Sequence, residues 1–344
     1  MFRTIGSVIA GLALMVSIAS AANDAGGYAA SFLQIPIGAR PTAMGGAYLA
    51  VSNDGAGALY NPAGLAGLEH PLFGTSYRFL QLDRKLGYAT LLFPVANQAT
   101  LGFNWLYAGS GSVEMRDADG NPTGDNFSMN NHVISIIFAK RFESYLSVGA
   151  KLNYFQSSIP HVTAASIGID MGAMLYVNEL IDREKRDKFP LQDLQVALTV
   201  KNLAAKYIWN SEKFNQAYVG LGTLGYEQTD QLPVEIGTGV SSRFIKRKLL
   251  LDIDVIGRIF QGKQTDQFGA QSTHTSTQFV VRPGGEYFIT PEFGVRTGYS
   301  EHRFTMGTGY VFKLKKSALA IDYAFSTARA DEGSEHIFSF DLLY

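Results

Sequence analysis

Residues 32–68 read FLQIPIGARPTAMGGAYLAVSNDGAGALYNPAGLAGL, and the reading of the whole chain starts from them. The stretch carries too much Gly and Ala for a steady strand. Pro36, Pro41 and Pro62 interrupt it too often for a long helix. Yet it is too apolar for a solvated tail. Small, compact and greasy, it suits packing inside something else, and the remainder of the chain looks like a container.

Beyond residue 70 a period-two alternation takes over. Leu101, Phe103, Trp105 and Tyr107 alternate with Gly102 and Asn104. Leu146, Val148, Ala150, Leu152 and Tyr154 alternate with Ser147, Gly149, Lys151 and Asn153. Ala165 to Leu175 and Leu319 to Phe325 repeat the pattern, so each strand has one greasy face and one small or polar face. About fourteen such segments are expected, each near the ~10 residues of a tilted spanning strand. They fall near 71–80, 85–94, 99–108, 130–141, 145–156, 164–177, 192–202, 232–244, 249–259, 278–289, 292–300, 303–313, 317–327 and 335–344. An even count brings both ends of an up-and-down antiparallel barrel to one side.

Connection lengths decide which way the greasy face points. The longest three, 109–129, 203–231 and 260–277, are all odd-numbered, while nearly all the even-numbered ones are tight, 178–191 excepted. Long outer loops and short periplasmic turns give that asymmetry in outer-membrane barrels. Aromatics near strand ends (Tyr77, Phe79, Trp105, Tyr107, Tyr154, Phe155, Tyr287, Phe288, Tyr310, Phe312) are expected to form girdles at headgroup level. The expected fold is therefore all-β: a transmembrane up-and-down barrel in the bacterial outer membrane, residues 70–344, around an N-terminal plug of residues 22–69. Arg3, the apolar run Ile5 to Ile18 and Ala19-Ser20-Ala21 read as a cleaved signal peptide over 1–21.

Bulk composition agrees. The 344 residues carry a net charge of −1, with 17% charged residues against about 25% in soluble domains. Balanced charge implies no nucleic-acid partner. With no cysteine there is no disulfide, thiolate metal site or lipoprotein anchor. Gly220, Gly222 and Gly225 spell GxGxxG, but no helix pattern follows, so a flexible loop is expected rather than a dinucleotide site. Asp117, Asp119, Asn121 and Asp125 lack the Gly and Glu of a calcium loop. No catalytic, metal or cofactor site is expected, and the chain does not read as an enzyme.

On the polar phase lie Lys151, Asp170, Lys201, Glu235, Asp252, Asp254, Arg258, Arg282, Glu286, Arg296, Asp322 and Asp341. Charges of both signs in a confined lumen are expected to pair with one another and with free amides of a plug. A wet polar interior with incidental pairing is the plainer alternative.

The stretch GARPTAMGGAYLAVSNDGAGALYNPAGLAGL resembles the start of the PorV/PorQ family of outer-membrane barrels, which is similar in turn to FadL-type channels through Asn61-Pro62-Ala63. Asp170-Met171-Gly172, Lys201-Asn202-Leu203, GGEYFITPEFGVRTGY (284–299) and HIFSFDLLY (336–344) are further matches. The resemblance implies a plug motif at Arg40, Gly45, Gly46, Asp54, Asn61, Pro62, Ala63 and Gly64, with Arg40, Asp54 and Asn61 as the expected contacts to the lumen. It also implies a role in type IX secretion, in which the barrel escorts cargo by binding its C-terminal β-domain. The partners would be outer-membrane lipid, the translocon, cargo and the attachment complex. Tyr207, Ile208, Trp209 and Phe214 are the candidate loop contacts; interface anchoring or a small loop core is the alternative for them. The other implied function is a FadL-like channel for fatty acids or other hydrophobic small molecules. Such channels release ligand through a kink in the third strand, and TLGFNWLY offers no Pro for one. Pro283-Gly284-Gly285 could kink a later strand, though a bulge that sets curvature is the expected result.

Overall fold

A computed structural model gives the architecture; it describes residues 29–96, 98–117, 119–182, 189–212, 227–265, 271–327 and 333–344. The signal segment, Phe214 and the GxGxxG glycines lie outside these residues.

Eighteen strands follow one another among the described residues: β1 (Leu72–Phe79), β2 (Lys85–Ala96), β3 (Ala99–Gly109), β4 (Val113–Arg116), β5 (Pro122–Phe127) and β6 (Asn130–Arg141). Next come β7 (Leu146–Ile159), β8 (Val162–Tyr176), β9 (Gln192–Leu203), β10 (Lys206–Asn210), β11 (Glu227–Gln231) and β12 (Val234–Phe244). The last six are β13 (Leu249–Thr265), β14 (Gln271–Phe288), β15 (Phe293–Ser300), β16 (Arg303–Lys313), β17 (Ala318–Ser326) and β18 (Glu335–Leu343). Fourteen of them form one closed antiparallel barrel, in which β1 pairs with both β2 and β18. Closure leaves no free sheet edge along the ring, which a lipid-facing sheet requires.

Side-chain phase explains the solvent. Phe103, Trp105, Ile134, Ile136, Phe138, Leu152, Ile167, Ile169 and Met171 are exposed, whereas their chain neighbours Asn104, Ser135, Asn153, Ser166 and Asp170 are buried. Greasy faces point outward and polar faces inward, the reverse of a soluble barrel. Tyr77, Phe79, Trp105, Tyr154, Tyr299 and Phe304 are exposed toward the outer end, and Tyr287, Tyr310 and Phe312 toward the periplasmic end. Phe155 departs from the expected girdle: it is buried and faces the lumen, packed with Leu106, Val133 and Tyr207.

The expected strands are all present within a few residues, but the outer loops are not plain loops. Residues 109–129 hold the β4–β5 hairpin, 203–231 the β10–β11 hairpin, and 260–277 are mostly the outer ends of β13 and β14. Each adds antiparallel pairs of its own, so local strand pairing continues beyond the wall.

Residues 29–68 lie within the ring. They form a short α1 (Ala39–Ala43), α2 (Gly57–Tyr60) and 3-10 turns at Ser31–Gln34 and Pro62–Leu65. The segment descends from Pro36, bonded to Arg78 on β1, to Leu65, bonded to Thr100 at the periplasmic start of β3.

Candidate functional site

Fine structure in the inner segment comes from its motif residues. Asn61 is fully buried and caps the Pro62–Leu65 turn: its Oδ1 accepts from the Ala63 amide at 3.0 Å. Its Nδ2 donates to the Leu49 carbonyl at 2.9 Å and reaches Ala173 on β8 at 3.5 Å. Pro62 sits at the first position of that turn, where its missing N–H costs nothing. Gly149 on β7 lies so close that a Cβ there would stand 2.5 Å from the Ala63 nitrogen. Gly45 adopts φ +68 and presses on the Tyr299 backbone of β15, where a Cβ would again fall within 2.5 Å.

Arg40 is the hub of the polar contacts. It holds Glu286 of β14 through two bonds (Nε–Oε1 3.1 Å, Nη2–Oε2 2.7 Å), and its Nη1 reaches Tyr48, Asn53 and Asp54. Glu286 also accepts from Arg296 at 2.6 Å, and Arg296 extends the chain to Asp322 at 2.5 Å. A short irregular segment leaves many amides without helix or sheet partners, and wall side chains supply them. Asp254 accepts from the amides of Tyr48 (2.6 Å) and Leu49 (2.9 Å), Asp341 from Gly55 (3.3 Å), and Ser339 from Ala39 (2.7 Å). Lys201 donates to the Leu59 carbonyl at 3.0 Å.

Five of the six remaining polar-phase charges pair along the wall or with its turns. Lys151 meets Asp170 at 2.8 Å, and Arg258 meets both Glu235 (3.0 Å) and Glu301 (2.9 Å). Arg282 reaches Glu301 at 3.6 Å and lies beside Gly46. Asp252 departs from the expectation of pairing: it is buried and neither carboxylate oxygen has a hydrogen-bond partner. Sequence reasoning missed Tyr48, Thr305, the Arg78–Glu335–Arg303 cluster and Glu301. Arg78 and Glu335 share the inward phase of β1 and β18, a signal that strand alternation could have supplied.

The outer half of the lumen is different. A cavity of about 910 Å³ opens there, floored by the start of the inner segment and lined by Phe32, Ile35, Leu86, Val162, Tyr207 and Trp209 among others. Deeper in the lumen a void of only about 60 Å³ remains, beside Leu33, Phe155 and Lys151. The β10–β11 hairpin leans inward over the larger cavity. Tyr207, expected as an exposed docking residue, is therefore buried, and burial pushes its phenol pKa up. Its Oη has no hydrogen-bond partner, and its ring lies 5.4 Å from that of Trp209. Ile208 does face outward. No group of three or more metal-ligating side chains stands together among the described residues.

Solved structures share this architecture. The toluene transporter TbuX of Ralstonia pickettii superposes with a TM-score of 0.57 at 14% identity, covering 90% of this chain and 97% of that one. The fold is FadL-like. A FadL homologue of Pseudomonas aeruginosa gives a TM-score of 0.56 at 12% identity over 90% of this chain and 98% of its own. The Pseudomonas putida toluene transporter TodX gives 0.55 at 12% identity, covering 88% and 95%. No protein-family model and no curated protein matches the chain. Two of these neighbours are named as toluene transporters, and the shared fold is that of a bacterial outer-membrane β-barrel.

Proposed function

We propose that this barrel takes up hydrophobic small molecules across the outer membrane, with residues 29–68 as its internal plug. One observation carries the reading: the largely apolar cavity of about 910 Å³ at the outer end, within the size range of small-molecule sites. Phe32, Ile35, Leu86, Val162 and Trp209 supply the apolar part of the lining, and Arg84, Lys85, Asp230, Arg303 and the Tyr207 hydroxyl, which has no partner among the described residues, supply the polar part. The neighbours named toluene transporters support the same substrate class. Ligand would enter from outside and rest on Phe32 and Ile35, above the ion-paired plug. Passage then requires the plug to shift. The third strand pairs with β6 without a register shift from Ala99 to Gly109, and its irregularity lies on the other side, where β2 shifts register between Pro94 and Ala96.

The test is binding of naphthalene to the purified barrel, read by quenching of tryptophan fluorescence against empty detergent micelles. Val162→Trp narrows the cavity and is expected to weaken binding by about tenfold. Binding no better than to micelles, or a Val162→Trp barrel that binds like the parent, would overturn the proposal.

A second reading keeps the PorV/PorQ resemblance: a non-conducting barrel that escorts exported proteins. The observation favouring it is the solid packing of the plug, with Ala39, Ala43, Met44, Tyr48, Ala63 and Leu65 all essentially inaccessible. Recovery of a secreted β-domain bound to the barrel from solubilised outer membranes, with no naphthalene binding, would favour that reading.

A further inference from the structure

The lipid-facing wall does not end alike around the periplasmic rim. On the sector from β13 to β17, the outward phase of β14 runs through Tyr287 to Ile289, and that of β16 through Tyr310 and Phe312 to Leu314, all of them exposed. Lysines follow at once. Lys315 and Lys316 come directly after Leu314, and Lys248 stands directly before Leu249, its carbonyl accepting from the Phe288 amide at 2.8 Å. With Lys246 they make four exposed lysines in two turns, 245–248 and 314–317. The turn between them, 289–292, is tied to β16, where the Val311 amide donates to the Glu292 carbonyl at 2.9 Å. Nearby acids are already used: Glu292 meets Lys313 at 2.7 Å, and Asp193 meets Arg247 at 3.2 Å and Arg243 at 3.8 Å. None of the four lysines forms an ion pair among the described residues, and all three turns lie within those residues. Across the ring the rim is different. β6, opposite β15, passes into β7 through residues 142–145, whose one charge is the acid Glu143, and Lys140 above it lays its Nζ over the Phe142 ring at 5.5 Å.

We propose that this sector is a binding site for an anionic phospholipid of the inner leaflet. Depth is the first argument. A hydrocarbon core of about 30 Å within a bilayer of about 40–45 Å leaves about 5–7 Å for headgroups on each side. A strand advances about 3.3 Å per residue, so a lysine one or two residues past the last lipid-facing side chain stands in that layer. Its methylene stem lies along the apolar wall while its ammonium reaches the phosphates. Charge is the second argument: basic groups at a membrane surface attract lipids of net negative charge, and here no carboxylate competes for them. The lysines also continue directly from Tyr287, Tyr310 and Phe312, a girdle that the membrane covers, so a lipid rather than a soluble acidic protein meets them first. A second copy of this chain would present the same lysines and be repelled. A zwitterionic phospholipid brings its own ammonium and gains less.

Native mass spectrometry of the purified full-length barrel tests the site, with phosphatidylglycerol and phosphatidylethanolamine of matched chains offered in equal amounts. Phosphatidylglycerol should be held about tenfold more tightly. The preference should vanish in Lys246→Gln/Lys248→Gln/Lys315→Gln/Lys316→Gln, whose folding is checked by heat-modifiable gel mobility. Lys140→Gln, on the opposite side of the ring, should keep it. The proposal falls if the two lipids bind equally, if the fourfold variant keeps the preference, or if Lys140→Gln loses it as fully. It falls too if soluble glycerol phosphate displaces the lipid, because the site then reads a free phosphate. These lysines lie outside the lumen, so naphthalene binding tests the uptake reading separately.

Discussion

The two halves of the lumen are built from the same strands and filled in opposite ways. Residues 37–66 fill the lower lumen and reach Tyr299 and Thr305 at the outer ends of the short β15 and β16, and their amides and charges are met one by one by Asp254, Asp341, Glu286, Ser339 and Lys201. Above them lies a cavity of mixed lining, in which Phe32, Ile35, Leu86, Val162 and Trp209 stand beside Arg84, Lys85, Asp230 and Arg303. A polar wall against a polar-backboned segment makes a fixed assembly, because each buried group has a partner whose loss costs free energy. A partly apolar wall around a void makes a receptive one. The division of labour between holding and receiving follows from where the inner segment starts and stops.

The sharpest way to break this contrast is at Arg40. Its side chain is largely buried and that of Glu286 wholly so, and removing Arg40 leaves Glu286 with Arg296 alone and takes a shared donor from Tyr48, Asn53 and Asp54. Arg40→Ala is expected to lower stability against urea by about 3–5 kcal/mol and to loosen the segment, seen as protease cleavage near Asp54. Replacing both partners with apolar residues should recover most of the urea resistance. Next in size is the outer surface: Ile136→Lys places a charge on the lipid face and should cost about 2–4 kcal/mol in vesicle unfolding. Gly149→Val pushes a side chain into Pro62 and Ala63, an overpacking expected to cost about 1–3 kcal/mol by the same assay. Smallest is Tyr207→Phe in the receptive half. It removes a hydroxyl that already lacks a protein partner, so the urea midpoint should stay unchanged while affinity for a phenol falls and affinity for naphthalene does not.

Much of this was legible in the residues. The alternation at Leu101–Tyr107 and Leu146–Tyr154 located strands within a few positions, because a period of two admits one geometry. The same periodicity placed Lys151, Asp170 and Glu286 on the inward face. What it left open was which partner each charge meets. Glu286 is 246 positions from Arg40 in sequence, and nothing local in either announces the other. Asp252 carries the same alternation signal as Asp254, yet Asp254 caps two amides and Asp252 none. Tyr207 read as an exposed loop aromatic, because no pattern in KYIWN reveals that its hairpin folds inward.

Sequence alone determined the number of strands in the barrel, the outward turn of the greasy faces and the presence of a compact, proline-broken segment ahead of them. Those properties depend on neighbours two positions apart or on composition, which the chain carries locally. Tertiary structure decided which amides the wall carboxylates cap and where the lumen stays empty. Each of these depends on the register of strands far apart in sequence and on how a ring of fixed circumference closes around its contents, and no local pattern encodes that.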